Sequence, residues 1–263
     1  MNPKFFASLA VVITGFVLLY GVSDFPGFGD PRSPANAGVE GGSPSASLHY
    51  INEAYHDTKV PNIVTAVLAD YRGYDTMFET VVIFAAGMAI FAILRCVRKD
   101  EEAVVAPPAK SSIDGDHNRI IVGMTCRIII PVVQIFGLYV IAHGHPSPGG
   151  GFQGGVILAA SFILVALGSN LEDALSRFSE KNYLTLASLG VIIYAGFGVL
   201  PQVLGRNFLD YGVLQKLFLT DGPEMARYHS ILGVEIGVAL TVMSILFAIF
   251  ANLSSRGTLK GGL

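Results

Sequence analysis

Six stretches of this 263-residue chain are long and apolar enough to cross a bilayer, and that pattern decides the fold before any other feature. They run from Phe5 to Val22, Phe78 to Leu94, Ile120 to Ala142, Phe152 to Gly168, Tyr183 to Leu204 and Ser230 to Ala251. In hydrocarbon every backbone N–H and C=O has to be paired within its own segment, so runs of this kind span as α-helices. The expected fold is all-α, a polytopic membrane protein with about six transmembrane helices. Charged residues make up 14% of the chain, against roughly 25% in a soluble domain, too few to cover a water-facing surface. The 17 basic and 20 acidic residues leave no basic stripe, which excludes nucleic acid as a partner class. The second and fourth stretches are short and have to stand near the bilayer normal or be buried among other helices. Tyr20, Tyr74, Tyr139, Tyr183 and Tyr228 lie near span ends, where an aromatic belt is expected, and the chain has no Trp.

With both termini cytoplasmic, ten basic residues fall inside, including Arg95, Arg98 and Lys99 directly after the second span. Six fall outside, among them Arg72 and Arg227, so this orientation is the expected one. The first span follows Lys4 in the manner of a signal peptide, but the small-residue triplet Ala35-Asn36-Ala37 lies too far downstream for cleavage, and the span reads as a retained anchor. The run from Asp100 to Ser112 is acidic at its start and broken by Pro107-Pro108, the composition of a linker. The chain thus divides into a two-span unit, residues 1–103, with an extracytoplasmic loop over 23–77. A cytoplasmic linker over 104–119 and a four-span unit over 120–263 follow. Cys96 and Cys126 are not spaced for a disulfide framework or an iron–sulfur cluster, and no cofactor is expected.

Between the third and fourth spans stands His143-Gly-His-Pro-Ser-Pro-Gly-Gly-Gly-Phe-Gln-Gly-Gly155, with two prolines and six glycines. An ordinary helix connection needs far less; this run specifies a fixed turn and a helix start of nearly bare backbone. Gly151, Gly155 and Ala159 recur every four residues, the pattern of close helix packing or of a backbone-lined ion path. His143 and His145 are one residue apart, but without a third ligand no metal site is expected, and they read as surface titrating groups or as partners of the turn.

A second informative run is Val60 to Glu79. Pro61 suits the first turn of a short interfacial or re-entrant helix that presents Ile63, Val64, Val67, Leu68 and Tyr71 on one face and ends at Gly73. Asp75 and Glu79, four residues apart at the mouth of the second span, share a helix face. Spacing alone favours a cap and a dipole complement over a cation site. Arg127 lies inside the third span four residues before Pro131, where a kink is expected, and reads either as part of a polar relay with Gln134 or as a snorkelling cation. Glu235 in the last span keeps company with Gly233, Gly237 and Thr241, which points it into a helix contact and away from lipid.

His143 to Ala160, with Gly137-Leu-Tyr-Val140 before it, resembles the signature of the B-type component of Mrp-type multisubunit sodium/proton antiporters, over about residues 119–253. Residues 61–95 are similar to the carboxy-terminal end of the large A-type component of those antiporters, and more closely to the small E-type component of membrane-bound energy-converting hydrogenases. The resemblance implies a non-catalytic member of a prokaryotic cytoplasmic-membrane complex that handles Na+ and H+. Its partners would be other antiporter subunits or, alternatively, the redox arm of a hydrogenase-like pump. It turns the reading of Glu79 toward the cation route, with Asp75, Glu235, Arg127, His143 and His145 as further pathway candidates. No nucleophile, base and orienting group converge as an enzyme requires, and no internal repeat supports a stand-alone transporter.

Overall fold

The computed structural model describes residues 3–23, 45–101 and 116–259, together with positions 25, 27, 28 and 30. The described residues form helices α1 (Pro3–Ser23), α2 (Ala46–Thr58), α3 (Ile63–Ala66), a π-helical turn (Val67–Tyr71), α4 (Gly73–Glu101) and α5 (Asp116–Ala142). After these come α6 (Gly151–Gly168), α7 (Leu171–Arg177), α8 (Glu180–Val203), a 3₁₀ turn (Tyr211–Leu214), α9 (Gln215–Phe218) and α10 (Pro223–Ser254). Five of these helices are long and apolar enough to span, and α1 contributes a shorter apolar stretch over Ser8–Ser23. The polytopic all-α reading therefore stands. The third span has the bounds read from sequence, Ile120–Ala142. The second is longer than its apolar run, Gly73–Arg95, because the helix begins before the hydrocarbon-type residues do. Part of the first loop, residues 31–44, and most of the linker, within residues 102–115, lie outside the described residues, as do the side chains of Arg98 and Lys99.

Contacts divide the chain into residues 1–52 and 53–263. The first unit holds α1 and the start of α2. In the second, α10 is the centre: 72% of its span is buried, against 11% for α5, and it packs on α8, α6 and α4 while α5 packs on α6. Close approach along α10 depends on missing side chains. A Cβ on Gly155 would lie 2.9 Å from the Ala239 carbonyl oxygen, and one on Gly151 would collide with the backbone of Glu235. One on Gly190 would collide with Gly237 and Thr241. Ala159 and Gly237 are buried where these helices approach. Gly233 is only half-buried, against the Phe197 ring.

At one end of the bundle Phe162, Phe178, Tyr183 and Phe247 form an aromatic cluster, with Phe178 stacked on Phe247 at 5.4 Å. Tyr183 is fully buried here, so it serves the core and not the expected interfacial belt. Arg95 pairs with Glu180 at the same end. At the other end Tyr194, Tyr211, Ile231, Val234 and Val238 form a second core with Ala54, Ala66 and Ala69 from the end of α2, α3 and the π turn. The apolar face read from sequence on the short helix is its outer one. Thr65, Ala66 and Ala69 are buried, whereas Ile63, Val64 and Leu68 are exposed. Large apolar side chains face outward, as lipid permits, and small ones face the protein, where backbone has to approach backbone.

Candidate functional site

The glycine-rich turn is held from across the chain by Asn62. Its side-chain amide donates to the carbonyls of Gly144 (3.0 Å) and Ser147 (2.9 Å), and its oxygen accepts from the Val64 N–H as the N-cap of α3. The Asn62 N–H donates to the His145 carbonyl, and the Thr65 hydroxyl donates to Gly144 at 2.7 Å. Gly150, at φ +123°, then starts α6 in a conformation that L side chains rarely adopt. The turn's density of glycine and proline thus sets a backbone that Asn62 and Thr65 read directly.

Glu235 projects from α10 into this turn. Its Oε2 is buried without a hydrogen-bond partner, and a Cβ placed on Gly144 would stand 2.9 Å from it. A Cβ on Gly150 would stand 2.7 Å from Oε1, so both glycines are needed to leave space for the carboxylate. His145, 1% exposed, points Nδ1 at Oε2 across 3.9 Å, while its Nε2 lies 3.1 Å from the Tyr228 carbonyl oxygen and its ring packs on that of Tyr228. Burial pushes the His145 imidazole below its ordinary range, with the Tyr228 carbonyl opposing.

Glu235 and Glu79 line one cavity of about 500 Å³ between α4, α10, the π turn and the start of α6. Thr65, Thr76, Thr80 and Tyr194 supply its remaining hydroxyls, and Gly149, Gly150 and Gly151 form part of its wall. The Thr76 and Thr80 hydroxyls donate to the carbonyls of Leu68 and Thr76, both at 2.8 Å, which leaves their oxygen lone pairs as acceptors. No Lys or Arg lines the cavity among the described residues.

A second polar group lies beside it. Asp70 on the π turn accepts two hydrogen bonds from the Arg227 guanidinium, 2.8 Å from Nε and 2.5 Å from Nη2. Arg227 also lies over the Tyr71 ring at 5.5 Å, and the Tyr71 hydroxyl donates to Asp57 at 2.6 Å. Burial pushes the Asp70 carboxyl up against the pull of Arg227, and burial beside Asp57 pushes the Tyr71 hydroxyl up as well. This cluster escaped the sequence reading because its members are 157 residues apart, Arg227 entering only as an outer positive charge. An acidic residue in a short, otherwise apolar helix was the available signal, since burial demands a partner for it.

The other candidates are dispersed. Asp75 is exposed, pairs with Arg72 at 2.5 Å and does not line the cavity that Glu79 enters. His143 is exposed and stacks on Tyr139, ring centroids 4.0 Å apart. Arg127 is exposed on α5, away from the cavity, and α5 is helical through Pro131. Among the described residues, one group of side chains is close enough to share a metal: Glu53, His56 and Asp57 on α2, with ligand atoms within 4.8 Å of one another.

Residues 121–248 match the family described as "Domain related to MnhB subunit of Na+/H+ antiporter", and residues 41–111 match the family described as the E component of MBH. A putative antiporter subunit mnhB2 of Staphylococcus haemolyticus is 30% identical over 140 residues, 52% of this chain and 96% of that protein. A probable A/B component of a K(+)/H(+) antiporter from Rhizobium meliloti is 26% identical over 61% of this chain but only 17% of its own length. An uncharacterized protein of Methanocaldococcus jannaschii is 33% identical over 60% of this chain and 63% of its own. Two solved structures share the fold. A chain of an archaeal membrane-bound sulfane sulfur reductase has a TM-score of 0.59 and 24% identity, over 96% of this chain and 98% of that one. A chain of the Mrp complex from Dietzia sp. has a TM-score of 0.61 and 22% identity, over 95% and 26%. Covering 96% of a 30%-identical antiporter subunit, the chain belongs to the family of MnhB-related antiporter subunits.

Proposed function

We propose that the chain is a non-catalytic membrane subunit of a multisubunit cation/proton antiporter complex and that its ion route passes through the cavity shared by Glu79 and Glu235. The observation that carries this reading is the convergence of those two carboxylates from different helices on one hydroxyl-lined space at the glycine turn. Intramembrane carboxylates that face a cavity mark ion and proton paths. Glu79 stands at the exposed side of the cavity, where a carboxylate can exchange part of its water shell for an ion at modest cost. Both termini lie on the cytoplasmic side by the distribution of basic residues. Its partners are other subunits of such a complex, with Na+ or a related monovalent cation and H+ as the transported species.

The match of residues 41–111 to part of a different membrane complex supports a second reading, in which the same unit serves the membrane arm of a redox-driven pump. Gentle purification with identification of partners separates the two: antiporter subunits alone select the first, a co-purifying redox arm the second. The ion-route assignment is tested by sodium-coupled proton movement in vesicles holding equal amounts of native and Glu79→Gln complex. Loss of most transport at normal assembly is expected. Unchanged transport would return Glu79 to the role of a helix-terminus charge.

A further inference from the structure

His145 and Glu235 are more than wall residues of the cavity. A carbonyl oxygen only accepts, so the contact between His145 Nε2 and the Tyr228 carbonyl requires the ring proton on Nε2. In the neutral imidazole Nδ1 then carries a lone pair, and it faces Glu235 Oε2 across 3.9 Å, an oxygen that is buried and takes no hydrogen bond. Lone pair facing carboxylate lone pair is repulsive, and an ionised, unpartnered carboxylate at this depth is costly. Among the described residues no cation relieves it from the packed elements. Arg227 is engaged by Asp70, α6 contributes Gly150, Gly151 and Gln153, α4 contributes Glu79, α8 contributes Tyr194, and His229 lies beyond His145 on α10.

From this geometry we infer that Glu235 and His145 form a site for one proton at the closed end of the cavity. The proton rests on Oε2 facing Nδ1; when the 3.9 Å gap closes to hydrogen-bonding range, transfer breaks that O–H bond as an N–H bond forms, leaving Glu⁻ and His⁺ with no net change of charge. A hard cation such as Na+ does not suit this end, because it needs several oxygen ligands and Oε2 stands against Gly144, which offers no side chain, and an imidazole nitrogen. The site rests on the antiporter reading for its purpose and assigns the inner half of the cavity to the proton.

Infrared difference spectroscopy of the intact purified complex tests it. The native complex is expected to show the carbonyl stretch of a hydrogen-bonded carboxylic acid that is lost in Glu235→Gln, an isosteric change, and retained in Glu79→Gln. His145→Phe, which removes the accepting nitrogen, is expected to move that band to higher frequency. Proton flux in vesicles should fall at least about tenfold, a barrier change of one decade, in Glu235→Gln. A band that survives Glu235→Gln, or one abolished by adding NaCl at fixed pH, overturns the assignment, the latter because it would make Glu235 a metal ligand. If Glu79→Gln stops transport while Glu235→Gln does not, the proton site fails and the ion-route reading stands. If neither variant alters transport, both fall.

Discussion

Replacing Arg227 by Met isolates the buried Asp70–Arg227 pair. The Asp70 side chain is 7% exposed and that of Arg227 25%, and the two are joined by a bidentate contact at 2.8 and 2.5 Å. Removing one partner of such a pair leaves an uncompensated buried charge and costs about 3–5 kcal/mol. The cation–π contact with Tyr71 adds about 0.5–1 kcal/mol. At roughly 2–4 °C per kcal/mol for a chain of this size, thermal unfolding of the complex in mild detergent should fall by roughly 10 °C or more. The companion variant decides the cause. Asp70→Leu with Arg227→Met removes both charges and replaces them with apolar volume, which recovers most of the loss. A cost below about 1 kcal/mol for Arg227→Met, the range of a surface pair, would refute the reasoning. So would a double variant no more stable than the single one.

Gly155→Leu should block assembly, because even a Cβ there meets Ala239 and Val242 at 2.9 and 3.0 Å, whereas Gly196→Leu should assemble normally since no atom lies within 4 Å of that position. Normal yield of the Gly155 variant would remove α6 from its close contact with α10. Burial holds the His145 imidazole below its ordinary value of 6.5, so the unfolded chain binds a proton at a pH where the folded one does not. Stability should therefore be full above about pH 6.5 and fall with acidification toward the folded value. Thermal unfolding against pH checks this, and a slope unchanged in His145→Gln would exclude His145 as its source.

The spans were legible because hydrocarbon length and backbone pairing leave a chain few choices, and the turn because glycine and proline are specified only where backbone geometry demands them. The orientation of the short helix was not. Periodicity puts Ile63, Val64 and Leu68 on one face without saying whether protein or lipid receives it; beside lipid an apolar face gains nothing by burial, and the small residues Thr65, Ala66 and Ala69 take the protein side. Glu79 and Glu235 were each legible as charges near span ends. Their meeting in one cavity required the docking of α3 and the π turn, which rests on Asn62 and on the Asp70–Arg227 pair, contacts spanning 82 to 157 residues. Periodicity carries no information at that range.

Asn62 and Thr65 grip the glycine turn through directed hydrogen bonds that span 79 to 85 residues of chain. A hydrogen bond has a preferred length and angle, whereas apolar burial is non-directional and lets packed surfaces slide. The junction between α3 and the start of α6 therefore works as a latch: the two elements are held in one register, and displacing either has to break several directed contacts together.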